Sequence, residues 1–179
     1  MKLFRNQKGS PRFALLRKKS GEAGFTLIEL LIVISIIAAL AVTVFVALNP
    51  AGRLKDSRDA RRTSDVESIL TAIHSATVDN KGTQPSNMPA AGTEAQLGTG
   101  SSGCEIATGG CSVTQAACVD LMSGTVSLTK YLKSMPIDPT GGTTYTAANT
   151  GYSVVVDANG IVTVKACGTE GTTNISQSR

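Results

Sequence analysis

The stretch GFTLIELL, Gly24 to Leu31, opens an apolar run that continues to Leu48. From Phe25 to Leu48 the only charge is Glu29, and the only other polar side chains are Thr26, Ser35 and Thr43. As a helix these 24 residues would span ~36 Å at about 1.5 Å per residue. That is enough to cross a hydrocarbon core of roughly 30 Å, and it exceeds the roughly 7–15 residues of a signal-peptide apolar region. The run therefore reads as a membrane span. A carboxylate within such a span costs on the order of 2.5–3.5 kcal/mol on insertion scales. No base lies inside the run to offset it.

The charge of the chain is unevenly placed. Residues 1–24 hold seven bases (Lys2, Arg5, Lys8, Arg12, Arg17, Lys18, Lys19) against Glu22. Of 17 bases and 13 acids in all, this leaves a net −2 for the rest of the chain. The basic character thus belongs to the flank of the membrane segment, and it is no argument for nucleic-acid binding. A Lys/Arg excess before the span predicts a cytoplasmic N-terminus and a C-terminal domain on the other side. Four cysteines, Cys104, Cys111, Cys118 and Cys167, fall in that outer part, where an even count reads as disulfides. Their spacing is a poor zinc pattern, because paired ligands normally sit two to four residues apart. Three pairings are open; the expectation is Cys104–Cys111 within a loop and Cys118–Cys167 tying the end of that loop to the last strand.

Residues 51–81 are polar but periodic. Leu54, Val66, Ile69, Leu70 and Ile73 recur at helical spacing, with Ala72, Ala76 and Thr77 filling the stripe. Arg53, Lys55, Arg58, Arg61, Arg62, Asp65 and Glu67 are assigned to the opposite face, paired at i+3 and i+4. This is an amphipathic helix that covers something apolar. Asn49-Pro50-Ala51-Gly52 predicts a kink or a melted turn between it and the membrane run. Ser64 to Glu67 offers a capping box, but the periodicity continues across it. Gly82 is a natural stop. Residues 83–116 have loop composition. A short helix is predicted from about Ser127 to Lys133, ended by Pro136 and Pro139. Tyr152–Val156 and Ile161–Cys167 flank Asp157-Ala158-Asn159-Gly160, which predicts a β-hairpin. Residues 168–179 read as a polar, loose tail. The apolar supply outside the membrane is thin, so the disulfides compensate for a small core.

Glu29 lies five residues into the run. Either it sits shallow enough to reach water, or it meets a cation from elsewhere. Cleavage after Gly24 would supply one, the free α-amine of Phe25, on this chain or on a neighbouring copy. KKSGEAGFTLIELLIVISIIAALA, Lys18 to Ala41, resembles the class III-type N-terminus of type IV prepilins. It has a basic leader, Gly before the cut, Phe after it and Glu at the fifth mature position. Type II secretion pseudopilins share the pattern. The continuation ALNPAGRLKDSRDARRTSDVESILTAI resembles the extended pilin helix less specifically, and YLKSMPIDPTGG resembles a segment of major pseudopilins and small bacterial pilins.

The resemblance implies an α+β fold, with a long N-terminal helix packed on a small antiparallel sheet beside a disulfide-stapled loop. It implies a leader at 1–24, a transmembrane and filament-core helix at 25–50 and an amphipathic helix at 51–82. A loop-rich head at 83–167 and a polar tail at 168–179 follow. Prepilin peptidase would cut between Gly24 and Phe25 and methylate the Phe25 amine. Glu29 would pair with Phe25 of an adjacent subunit, and Pro50 would mark the flexible part of the helix. The expected partners are copies of the chain in a helical filament, prepilin peptidase, an assembly platform in the inner membrane, and lipid before assembly. The expected function is that of a pilus subunit on the cell surface, serving adhesion, motility or DNA uptake. The alternative is a major-type pseudopilin of a type II secretion or competence apparatus.

Other functions have less to draw on. His74 is the only histidine, and no nucleophile-elbow context surrounds the serines, so no enzyme site is expected. Nucleic acid is not expected as a specific ligand, because acids interleave with the basic cluster from Arg53 to Arg62. No cofactor is expected. Calcium, which major pseudopilins bind, has Asp138 and Asp157 as candidates, and both read better as turn residues.

Overall fold

A computed structural model describes residues 24–140, 144–171 and 174–179. The basic segment 1–23 and Gly141 and Gly142 lie outside the described residues. The chain divides into two units, which meet between Ala47 and Leu48.

The first unit contains helix α1, Leu27–Leu48. Its apolar side chains are exposed all round the helix. A helix that is hydrophobic on every side has no solvent-facing stripe, so water is not its natural surroundings. Its two internal hydroxyls are satisfied within it. Ser35 Oγ donates to the Ile32 carbonyl and Thr43 Oγ1 to that of Leu40, each at 2.8 Å. That self-sufficiency suits a segment in lipid, where no water stands by to pair a polar group.

Asn49 interrupts the helical path with φ 39° and ψ 66°. The residue before a proline is disfavoured in the right-handed helical region, and asparagine tolerates the left-handed one. Helix α2 then runs Pro50–Asp79, with Pro50 in its first turn and the Asn49 side chain accepting from the Gly52 amide at 3.3 Å. The predicted disturbance is thus one residue long. Pro50 starts a helix, where its missing donor costs nothing, and Gly52 is helical rather than melted. The helix passes unbroken through Ser64–Glu67, so no second start occurs there.

The sheet is antiparallel in the order β1 (Glu94–Gln96), β2 (Tyr152–Val156), β3 (Val162–Ala166), β4 (Ile175–Ser178). The predicted hairpin is β2–β3, with Val154 opposite Val164. Its turn is closed by the Asp157 carboxylate, which accepts from the amides of Asn159 and Ile161 at 2.8 and 2.7 Å. Val66, Ile69, Leu70, Ile73 and Ala76 of α2 pack with Leu97, Leu121, Leu128, Tyr152, Val154 and Val164 in one core.

Three expectations are corrected. β1 lies inside a segment read as loop; its backbone pairs with β2 although only three residues are strand. The tail is not loose, because residues 175–178 form β4 against β3. Its one apolar residue, Ile175, packs against the core, and the rest is held by backbone pairing that side-chain composition does not encode. The predicted helix near Ser127 shortens to a single 3-10 turn, Leu128–Lys130, with Leu128 buried.

Candidate assembly site

The peptide joining Gly24 to Phe25 lies just before α1, in chain with no regular structure. A Cβ built on Gly24 would meet nothing within 4 Å, so the fold itself does not demand glycine there. The demand must come from whatever reads the sequence. Phe25 is 83% exposed. Thr26 caps the helix, its hydroxyl accepting the Glu29 amide at 3.2 Å. Glu29 stands in the first turn, where a carboxylate is favoured by the unpaired amides of the helix start. Its side chain is exposed. The structure thus sets Phe25, Glu29 and an uncovered apolar helix in sequence along one element.

The head is locked by ionic groups that the charge pattern concealed. Arg62, placed by its spacing on the exposed face of α2, is fully buried. Its guanidinium grips the Asp138 carboxylate through two bonds of 2.7 and 2.8 Å. It also donates to Asp59 at 2.7 Å and Thr140 Oγ1 at 2.6 Å. Arg58 pairs with Glu170, with Nη2 to Oε1 at 2.7 Å. Asp59 in turn accepts from the Glu170 and Gly171 amides. The local i+3 pairing is therefore only part of the account, since the Asp138 and Glu170 partners come from distant chain. Burial opposes the charge on Arg62, but its carboxylates outweigh that and raise its pKa. Arg58 holds the Glu170 carboxyl down to about 2, against the penalty of burial. Nearby, Tyr152 donates to Asp65 at 2.8 Å. Gly151, with φ +82°, lets the chain pass here, since a Cβ would meet Tyr145 and Asp138 below 3.0 Å.

This bears on the calcium candidates. Asp138 has both oxygens facing donors, the Arg62 guanidinium and the Thr140 amide at 2.8 Å. Asp157 closes its own turn. Calcium needs several oxygen ligands converging on one point, and a carboxylate engaged by a guanidinium does not fit that role. Among the described residues no group of three or more His, Cys, Asp or Glu is placed to hold a metal. His74 lies on α2 with Nε2 3.2 Å from the Arg179 carbonyl oxygen.

All four cysteines are in disulfides, but the expected pairing is wrong. The bonds are Cys104–Cys118 and Cys111–Cys167, with Cα separations of 5.3 and 5.4 Å. Residues 104–118 form a small hairpin in which Ile106 pairs antiparallel with Val113, and the Cys104 amide donates to the Ala116 carbonyl. Antiparallel pairing brings the two ends of the hairpin together and leaves Cys111 near its tip. That tip rests on the end of β3, where Thr108 Oγ1 donates to the Cys167 carbonyl at 2.7 Å. Gly109, with φ +60°, permits the approach, because a Cβ would meet that oxygen at 2.6 Å. Spacing alone missed this; the recurrence of β-branched Ile106 and Val113 about a Gly-Gly turn was the available signal.

A bare apolar helix joined to an α+β head in which a helix covers a four-stranded antiparallel sheet is a pilin-like architecture. Residues 19–45 match the family model of the prokaryotic N-terminal methylation motif. The chain carries the class III prepilin-type signal of type IV pilins and pseudopilins, a structural rather than an enzymatic type. No curated protein and no solved structure matched the chain.

Proposed function

We propose that this chain is a structural subunit of a type IV pilus. It is cut between Gly24 and Phe25, methylated on the Phe25 amine, and assembled through α1. The observation that carries the reading is the conjunction of the methylation motif with a helix whose entire apolar surface lacks cover. Before assembly that surface belongs in lipid; afterwards it is buried against copies of itself. The exchange leaves the burial of apolar area roughly unchanged, so direction must come from a polar contact. Glu29 supplies it by pairing with the Phe25 amine of a neighbour. Methylation keeps that nitrogen basic. In a weakly screened environment the unpaired carboxylate is penalised more heavily than the paired one. The doubly stapled hairpin 104–118 suits a displayed subunit, because a surface loop held by disulfides carries recognition without unfolding.

A second reading, a major-type pseudopilin, is favoured by the Met135-Pro136-Ile137-Asp138-Pro139 segment, which resembles that of major pseudopilins. Mass spectrometry of material sheared from the surface of the native cells separates the two. An abundant chain starting at methylated Phe25 with two disulfides supports the pilus subunit. Mature chain confined to the membrane fraction supports the pseudopilin. Mature chain that retains residues 1–24 overturns both.

A further inference from the structure

We propose that the opening turns of α2, Pro50–Lys55, form a collar at the membrane interface. Leu54 rests against the outer edge of the headgroup layer, and Arg53 and Lys55 bind lipid phosphates on either side of it. The proposal rests on the reading that α1 spans the bilayer before assembly.

Leu54 was expected in the core stripe, yet it is 60% exposed while Val66, Ile69 and Ile73 are fully buried. The bases of α2 divide in the same way. Arg58 pairs with Glu170, Arg61 lies 3.8 Å from Asp65, and Arg62 holds Asp138. Arg53 and Lys55 have no such carboxylate among the described residues. At about 100° per residue these two flank Leu54, while Asp56 turns to the far side. Pro50 and Ala51, one turn earlier, share the face of Leu54 and are exposed. An apolar patch edged by two long cationic side chains is the pattern that snorkels at a lipid surface.

The chain position selects lipid over other partners. Leu54 follows the last residue of α1 by six positions, ~9 Å at helical rise. The headgroup layer on each side of the hydrocarbon core is roughly 5–8 Å thick, so Leu54 stands at its outer edge, and the long side chains of Arg53 and Lys55 reach back into it. Phosphates are therefore the anions that Arg53 and Lys55 meet first when α1 spans. Each base near an anionic surface contributes about a fivefold gain in binding.

The chain has no tryptophan, so Leu54→Trp gives a sole reporter in the full-length protein. The test places it in vesicles of phosphatidylethanolamine and phosphatidylglycerol, with lipid spin-labelled at the headgroup. The reporter at position 54 should be quenched by that label and shielded from aqueous iodide. Adding Arg53→Gln and Lys55→Gln should remove about half or more of both effects. Ile37→Trp, quenched by acyl-chain label, reports separately on α1. Iodide access at position 54 with no headgroup quenching, while position 37 stays in the acyl region, overturns the collar alone. Shielding at position 54 that appears only at high protein-to-lipid ratio means that a second copy covers Leu54, and also overturns it. Loss of acyl quenching at position 37 overturns the spanning reading and the collar with it.

Discussion

Helix α1 and the second half of α2 are both apolar enough to pack, and they are treated in opposite ways. Val66, Ile69, Leu70, Ile73 and Ala76 find their cover within the chain, on β2, β3 and the loops beside them. From Leu27 to Leu48 nothing is buried. One stripe on α2 suffices to close a core, and its polar side faces water. α1 has no polar side, and none of it is buried by the described residues. Apolar surface around the full circumference is a demand for an environment, lipid or other copies, whereas an apolar stripe is a demand for a partner element. Folding is therefore carried by α2 and the sheet and, on the proposed reading, assembly by α1, and substitutions should sort accordingly.

The largest effect should come from Glu29→Ala. Glu29 belongs to the first unit and is no part of the head's core, so the head should fold and melt as in the parent. α1 becomes more apolar and should insert at least as well. Filament yield should fall to background, because the polar contact proposed to select docking over lipid is gone. Normal yield of sheared filaments would remove the pairing role and blur the division between the two regions. Gly24→Val is next. Gly24 meets nothing that a side chain would disturb, so the fold should be unchanged while cleavage stops. A precursor about 24 residues too long on mass spectrometry is the expected outcome. Only mature-length protein from this variant would show that glycine is not read there.

In the head, Arg62→Leu should reverse this pattern. It strands Asp138 in a buried site, and breaking a buried pair from one side typically costs 3–5 kcal/mol, by about that order. The head should lose most of its stability in denaturant, while α1 is unaffected. The Asp138→Asn variant, which keeps a hydrogen-bonding partner, should cost less. If Arg62→Leu melts like the parent, the lock is ornamental. The disulfides sharpen the picture further. Cys111–Cys167 closes a separation of 56 residues and Cys104–Cys118 one of 14. On the chain-entropy account, removing the longer should cost about 1 kcal/mol more. It should also free the hairpin from β3, which hydrogen exchange at residues 104–118 would register. Equal losses would say that strain or residual structure governs both.

What was legible in the sequence follows from how far each signal reaches. The apolar helix of α1, the stripe of α2 from Val66 to Ala76 and the β2–β3 hairpin are set by neighbours two to four residues apart and are found where they were read, whereas Leu54 falls outside the buried stripe. Arg62, Asp138 and Glu170 were misplaced because their partnership spans 76 and 108 positions. Arg62 sits four residues before Val66, on the buried stripe, and a helical wheel alone would have flagged it. β1 and β4 are edge strands too short and polar to show alternation. The disulfide pairing depended on a hairpin inside a Gly-rich segment, where composition says loop and only the fold says which ends meet.

The smallest effect expected is the acid sensitivity of the Glu170 clasp, and it discriminates well because it belongs to the head alone. The Glu170 carboxyl is held from an ordinary 4.5 down to about 2, chiefly by the Arg58 hydrogen bond. Burial pushes Asp59 up, but its bonds to the Glu170 amide, Arg62 and the Gly171 amide outweigh that and lower it. A carboxyl depressed on folding contributes stability above its unfolded pKa and loses it as pH falls through the folded value. Ectodomain stability should thus decline between about pH 4.5 and 2 as protons reach Glu170. Glu170→Gln should be slightly less stable at neutral pH and should flatten that decline without abolishing it, because Asp59 still titrates. Solvent reaches this carboxylate, so the change at neutral pH should be modest. A steep decline retained in full by Glu170→Gln would move the acid-sensitive group elsewhere. Loss of α1 helicity in step with the head over the same range would mean that the two regions are not energetically separate after all.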